Sequence, residues 1–233
     1  MDRQICGLSS MATRLILAEL SEHIRLAHGI LVRFESAGGV EIARRVREGA
    51  EADLLVLADG ALAELESGGY LLKGTVRPLW VSQVVAAVPA GSPVPALGSE
   101  SDLRAALLAA KSIAYSTGPS GTALVDLIAR LRLADTLRSR LVQARPGVPV
   151  GSLLASGEAD LAFQQHSELL DLPGVVIAGP LPGNTAISST FSGGVLASST
   201  QPCRASEVLS ILGSGTGSKT ARARGMRAPR AQD

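Results

Sequence analysis

The chain has 233 residues, 46% hydrophobic and 3% aromatic, with 22 Lys and Arg against 21 Asp and Glu. This composition is typical of one large or two small globular domains. The net charge is only +1, which does not indicate the basic face that nucleic-acid binding needs. No apolar stretch approaches the roughly 20 residues of a membrane-spanning helix. Because Cys6 and Cys203 lie near opposite ends of the chain, they indicate neither a disulfide framework nor a metal site, and we expect no metal or cofactor.

The N-terminus leaves two localisations open. Only the short run from Ile5 to Leu8 precedes the serines Ser9 and Ser10, and this run is too short for the apolar core of a secretory signal. We therefore expect a periplasmic protein if a signal peptide has been removed, and a cytoplasmic protein if Met1 is the native start.

Short apolar strands alternate with amphipathic helices along the first third of the chain. The pattern predicts strands over residues 5–8, 30–34 and 54–58, followed by helices over residues 11–26, 40–48 and 59–65. We expect the hydroxyls of Ser9 and Ser10 to cap the first helix and Asp59 to be the N-cap of the third. Three successive strand–helix units predict a parallel sheet.

The second part of the chain continues this alternation. Strands are predicted over residues 82–88, 112–115, 141–144, 161–164, 175–178 and 185–191, with residues 193–197 as an extension. Helices are predicted over residues 102–110, 150–156 and 204–212, and from the loop over 116–122 to about residue 131. We expect Ser101 to cap the helix over 102–110, and the Gly- and Ser-rich tail from Gly213 to fray. Two α/β lobes of about 100 residues each fit the length.

Small hydroxyl residues and glycines occur where three predicted strands end, in residues 9–10, 36–39 and 116–122. In an open parallel sheet, ligands bind at this edge, where helix N-termini offer free N–H groups and partial positive charge. One such loop alone is most often a cap or a turn. Three together predict a site for a multiply anionic small molecule. No Walker A loop and no G-x-G-x-x-G stand among them, so nucleotide binding is not supported.

Polar side chains at other strand ends are further candidates. His166 follows the strand over 161–164 and is either a general acid or base or a structural hydrogen-bonding residue. Asp59 is either a helix cap or a carboxylate that borders the site. The amides of Gln164 and Gln165 need partners at a buried strand end, which favours ligand contact.

Residues 8–12, 34–39, 52–59 and 157–163 resemble the periplasmic molybdate-binding proteins of ABC importers over almost the whole chain. The resemblance implies an α/β fold of two Rossmann-like lobes, with mixed, mostly parallel sheets joined by a two-stranded hinge: the periplasmic-binding-protein type 2 fold. Residues 1–82 and 185–233 would form lobe I and residues 83–184 lobe II, with the ligand cleft between the lobes. It also implies a monomer that serves an ABC permease.

Individual residues depart from the family pattern. Ser10 matches the family's first ligand serine, whereas Ala37 takes the place of the second, with Ser36 beside it as a substitute. Gln165 replaces the family's tyrosine, and residues 116–122 match the loop that offers backbone N–H groups. These departures count against molybdate and tungstate and favour an organic carboxylate. The expected ligand-binding residues are Ser9, Ser10, Met11, Ser36, Ala37, Gly38, Thr117, Gly118, Ser120, Gly121, Val148, Gln164 and Gln165.

Two main functions follow from the resemblance. The first is a solute-binding protein of an ABC importer that takes a small organic polycarboxylate or another oxyanion. The alternative comes from residues 7–14, 116–121, 146–151 and 163–165, which resemble a subgroup, aconitate isomerase, that interconverts cis- and trans-aconitate by proton abstraction and return. The base would then be His166, Glu35 or Asp59. A third interpretation, a ligand-sensing lobe, needs a partner chain.

Overall fold

The computed structural model describes residues 4–145 and 147–230. Pro146 of the motif over 146–151, residues 1–3 and the last three residues of the tail lie outside the described residues. The chain divides into two compact units. The first ends at Ser82 and resumes at Ser189, and the second spans Gln83–Ser188.

Ten strands and ten α-helices alternate along the described residues. The first part of the chain forms β1 Ile5–Ser10, α1 Arg14–His28, β2 Val32–Ala37, α2 Gly39–Arg47, β3 Leu54–Ala58, α3 Asp59–Ser67 and β4 Arg77–Pro89. The middle part forms α4 Glu100–Ala109, β5 Ile113–Tyr115, α5 Pro119–Arg130, α6 Ala134–Leu137, β6 Leu141–Gln143, α7 Val150–Ala155, β7 Leu161–Gln165, α8 His166–Leu169 and β8 Val175–Pro180. The last part forms β9 Ser188–Val195, α9 Pro202–Leu212, α10 Gly215–Ala223 and β10 Met226–Arg227.

The sheet of the first unit is mixed. β1 lies between β2 and β3 and is parallel to both, as the sequence predicts, and β9 is antiparallel to β3. The central strand β3 is buried on both faces: Leu54 and Val56 join the core beneath α1, α9 and α10, whereas Leu55 and Leu57 join the core beneath α2 and α3. Parallel strands with two covered faces account for the continuous apolar run in this strand.

The sheet of the second unit repeats this plan. β5 is parallel to both β6 and β7, whereas β4 and β8 pair antiparallel, so this sheet is mixed rather than fully parallel. Ile113 faces the core that α4 and α5 cover, and Ala114 faces the core that α7 covers. The expected fold class, two α/β lobes with mixed sheets of the periplasmic-binding-protein type 2, is confirmed.

One hydrogen-bonded carboxylate holds the amino end of the sheet in each unit. Asp53, just before β3, accepts hydrogen bonds from the Cys6 N–H at 3.0 Å and the Ser199 hydroxyl at 2.7 Å. Asp160, just before β7, accepts from the N–H groups of Lys111 at 2.9 Å and Ser112 at 2.8 Å. Burial acts to raise the pKa of Asp160, but these donors outweigh it and hold the pKa below 3.8.

Several helix caps differ from the sequence-based expectation. β1 continues through Ser10 because it pairs with β2 as far as Ala37, and neither Ser9 nor Ser10 caps a helix with its hydroxyl. Asp59 is the first residue of α3 rather than its N-cap, which is Ala58. The cap of α4 is Ser99, not Ser101.

The expectation of a frayed tail is wrong. Ser214 caps α10 by accepting from the Gly217 N–H, and β10 pairs antiparallel with β4. Ala221 and Met226 are buried in the core of the first unit. These two apolar side chains pack the segment over residues 213–227 against the core, although most of its residues are small or basic.

Gly121 lies so close to the backbone of Ser116 that a larger residue would not fit there. The Gly121 N–H donates to the Gly118 carbonyl at 2.9 Å, and a Cβ at Gly121 would overlap the Ser116 carbonyl oxygen. We expect Gly121→Ala to lower the free energy of unfolding by at least about 3 kcal/mol, since backbone must move.

Gly118→Ala is the matched control in the same loop. Its Cβ would meet nothing closer than the Ser116 hydroxyl at 3.9 Å, and we expect a loss of at most about 1 kcal/mol. Chemical denaturation of both variants measures the difference. Equal losses would contradict the close approach.

Candidate functional site

The hydroxyl of Ser10 is buried and unused. Ser10 is the last residue of β1 and directly precedes a 3-10 turn over Met11–Thr13 that leads into α1. It is 7% exposed, and among the described residues its Oγ has no hydrogen-bond partner. A buried hydroxyl without a partner costs about 1–3 kcal/mol, so this group is available to an incoming acceptor.

Ser9 and Ser36 form a different arrangement. Their hydroxyls are 2.7 Å apart, and the two residues stand opposite each other in the β1–β2 register. Ala37 stands opposite Ser10. Because successive side chains of a strand point to opposite faces, Ser36 does not supply a second hydroxyl on the face of Ser10.

Two chain segments begin beside Ser10. Met11 opens the 3-10 turn, and the exposed Gly38 is the N-cap of α2. Helix geometry leaves the first-turn N–H groups of α2 without intrahelical acceptors, and they carry the positive end of the helix dipole. The first unit therefore gathers an unused hydroxyl and a helix N-terminus at the carboxyl edge of its parallel strands, which suits an anion.

The acidic candidates of the first unit are poorly suited to act as bases. Glu35 is exposed and forms a bidentate ion pair with Arg45, at 2.6 and 3.0 Å. Hydrogen bonds from Arg45 hold the pKa of Glu35 below 4.5. Asp59 is exposed at the start of α3 and lines a cavity of about 320 Å³ with Thr190 and Arg230.

The loop before α5 offers donors in the second unit. Gly121 and Thr122 donate their N–H groups to the Gly118 carbonyl, and the preceding proline has no N–H. Helix geometry leaves the Ser120 N–H, in the first turn of α5, without an intrahelical acceptor. The Ser120 hydroxyl lies 3.1 Å from the Ser116 hydroxyl, and Thr117 is exposed.

The loop before α7 lies at the same edge of the second unit. Val148 is 39% exposed, and its N–H donates to the Arg145 carbonyl at 2.9 Å. This N–H group is therefore engaged within the chain. The side chain of Val148 remains accessible to a ligand.

Both amides at the end of β7 are buried. Gln164 is 5% and Gln165 is 4% exposed. The Gln164 Nε2 donates to Glu168 Oε2 at 2.9 Å, and its Oε1 is buried without a partner among the described residues. The next residue, His166, is half-buried, and burial lowers the pKa of its imidazole below 6.5. It is therefore neutral at pH 7.

Glu168 is the group that the sequence did not single out. It lies on the four-residue helix α8, which directly follows β7. Burial raises the pKa of its carboxyl from 4.5 to about 7, although the Gln164 hydrogen bond opposes this shift. The sequence signal that could have indicated Glu168 is its position four residues after Gln164, at the end of an apolar strand.

Three further features bear on function within the described ranges: a second cavity, and the absence there of a metal-ligating cluster and of a membrane-spanning helix. A second cavity in the first unit, of about 410 Å³, is lined by His23, His28 and Glu207. Residues 4–145 and 147–230 contain no group of three or more His, Cys, Asp or Glu placed to hold a metal ion. No helix in these ranges has the length and hydropathy to cross a membrane.

Fold and sequence define the class of protein. A family model described as bacterial extracellular solute-binding protein matches residues 7–227, and the chain belongs to this family. It is 32% identical to the aconitate isomerase of a Pseudomonas species over 193 residues, which cover 82% of this chain and 73% of that protein.

Solved structures share the fold. The periplasmic molybdate-binding protein of Azotobacter vinelandii matches with a TM-score of 0.80 at 20% identity, covering 97% of this chain and all of that one. A sulfate-binding protein of Mycobacterium tuberculosis matches with a TM-score of 0.80 at 16% identity, covering 99% of this chain and 88% of that one. These likenesses support the type 2 periplasmic-binding-protein fold.

The raised pKa of Glu168 generates a prediction on stability. Because the native carboxyl holds its proton more tightly than the unfolded chain does, the native state binds more protons between pH 4.5 and about 7. The contribution of Glu168 to the unfolding free energy therefore falls as pH rises through this window.

Glu168→Gln removes this titration. We expect the stability of the variant relative to the native protein to increase by about 3 kcal/mol from pH 4 to pH 8. Urea denaturation of both proteins at several pH values measures the difference. Parallel stability–pH curves would contradict the assignment.

Proposed function

We propose that this protein binds a small organic polycarboxylate as the solute-binding protein of an ABC importer, outside the cytoplasmic membrane. The observation that carries the proposal is the buried, unpartnered Ser10 hydroxyl beside the N-terminus of α2. A carboxylate oxygen would accept from Ser10 and from first-turn N–H groups, which satisfies the orphaned hydroxyl. In the second unit, the loop before α5 carries donors of the same kind at the N-terminus of its helix.

A carboxylate is favoured over molybdate by the donor set. Ala37 provides no hydroxyl opposite Ser10, and the hydroxyl of Ser36 is engaged with Ser9. A tetrahedral oxyanion needs a full ring of donors, and this chain lacks one of them. We expect isothermal titration calorimetry to detect cis-aconitate or another di- or tricarboxylate and to show no heat with molybdate. Tight molybdate binding would overturn this choice of ligand.

Two hydroxyl deletions test the ligand-binding residues. We expect Ser10→Ala and Thr117→Ala each to weaken binding by about 1–3 kcal/mol, because a charged oxygen loses a donor. Ser10→Ala also removes an unsatisfied buried hydroxyl, so the ligand-free protein should keep its stability.

Ser21→Ala is the matched control for Ser10→Ala. It deletes another buried, unpartnered hydroxyl, on α1, away from the strand edge. Its affinity should equal that of the unaltered protein in the same titration. Unchanged affinity in both site variants would reject the site.

A second candidate function is cis/trans isomerisation of aconitate. It is favoured by the 32% identity to aconitate isomerase and by the protonatable carboxyl of Glu168. Proton NMR of cis-aconitate incubated with the protein separates the two functions. Growth of trans-aconitate signals indicates an isomerase, whereas line broadening without conversion indicates a binding protein alone.

A further inference from the structure

We propose that Glu168 is the catalytic acid–base group of the second unit, which removes a proton from a bound unsaturated polycarboxylate and returns it to another carbon. The inference rests on the second candidate function, the isomerase. It replaces the three bases that the sequence suggested with a residue that the sequence passed over.

The position of Glu168 supports this role. α8 directly follows β7, and β7 is parallel to β5, with Phe163 opposite Tyr115. The end of β7 therefore lies at the same edge as the loop before α5, which offers the Ser120 N–H. A ligand held by that loop would lie on the side of the sheet where β7 ends.

The partner of Glu168 is also informative. Gln164 Nε2 donates to Glu168 Oε2 at 2.9 Å, while Gln164 Oε1 is buried with no partner among the described residues. An amide can donate to a carboxylate and, after it turns over, accept from a carboxylic acid. Gln164 can thus hold Glu168 in one place in both protonation states, as a group that takes and returns a proton requires.

Within the part of the chain that the structure describes, no cation contributes to the electrostatic environment of Glu168. β7 and α7 contain no titratable side chain, and neither does β8. The nearest titratable groups along the chain are His166, which is neutral at pH 7, and Asp171. Burial without a neighbouring cation is what raises the pKa of Glu168 to about 7, where both protonation states are populated at neutral pH.

The other candidate bases lack this combination. The ion pair with Arg45 keeps Glu35 ionised and therefore a weak base. Asp59 is exposed to water. His166 is neutral, but no hydrogen bond within the described residues orients its ring as the Gln164 amide orients Glu168.

The proposed step conserves atoms and electrons. Glu168 takes a proton from the methylene carbon of cis-aconitate, and the C–H electron pair forms a new carbon–carbon double bond. The electrons of the original double bond move to the former vinyl carbon, which takes the proton back from Glu168. Hydrogen-bond donors from Ser120 and the helix N-termini stabilise the charge that develops on the carboxylate between these events.

Deuterium exchange tests the inference directly. The full chain is incubated at saturating cis-aconitate in D₂O, and proton NMR follows both the loss of methylene and vinyl signals and the growth of trans-aconitate signals. We expect exchange with the unaltered protein and a loss of at least about 100-fold in Glu168→Gln, the usual contribution of a general acid or base. Calorimetry should show that Glu168→Gln still binds cis-aconitate, because an amide replaces a carboxyl of the same shape.

Glu158→Gln is the matched control. Glu158 is an exposed carboxylate of the same unit that accepts from the Ser156 hydroxyl, and its removal should leave exchange unchanged. If Glu168→Gln does not fold, the pH profile of the unaltered protein decides. The exchange rate should rise through a midpoint near pH 7, and a flat profile from pH 5 to 9 would overturn the inference.

The remaining outcomes separate the inference from the proposed function. Full exchange in Glu168→Gln overturns the role of Glu168 while an isomerase remains. Binding of cis-aconitate by the unaltered protein, with neither exchange nor formation of trans-aconitate, overturns it and leaves a solute-binding protein. Absence of both binding and exchange overturns the inference together with the choice of ligand.

Discussion

Parallel pairing of strands is the constraint on which the rest of the structure depends. A parallel pair needs a crossover between its strands, and here helices supply it, so each strand is followed by a helix that starts at the same edge of the sheet. β1, β2 and β3 obey this rule in the first unit, and β5, β6 and β7 obey it in the second. Helix N-termini therefore collect at the carboxyl edges, together with the small polar residues that begin each loop.

The carboxyl edges hold polar groups that folding alone does not satisfy. Ser10 Oγ and Gln164 Oε1 are buried without partners among the described residues. Each carries a desolvation cost in the ligand-free protein. A ligand that supplies the missing partner recovers this cost, so the same groups that weaken the empty protein strengthen its complex.

Sequence patterns identified most of the fold and part of the site. A continuous apolar run located the strand Leu54–Ala58 because central parallel strands are buried on both faces. Composition failed at α10, where Ala221 and Met226 dock a segment of small and basic residues. Helix caps were misplaced by one to three residues. At the first helix the reason is that strand pairing, rather than capping, decides where β1 ends.

The candidate site was less accessible to sequence patterns. Ser10 and the loop before α5 were found because strand ends and hydroxyl residues are visible in the sequence. The pairing of Ser9 with Ser36 was not, since it depends on the register between two strands. Glu168 was missed because its chemistry arises from burial beside Gln164, and burial of a charged residue leaves no periodic pattern.

Asp53 and Asp160 fasten the amino edge of each sheet, opposite the edge that offers donors to a ligand. Each is the third residue of the same four-residue sequence, since residues 51–54 and 158–161 both read Glu-Ala-Asp-Leu. The two ends of each sheet thus have separate tasks. Substitutions can change specificity at one end while the other end keeps the scaffold intact, and such a division lets one architecture serve many solutes as its sequence diverges.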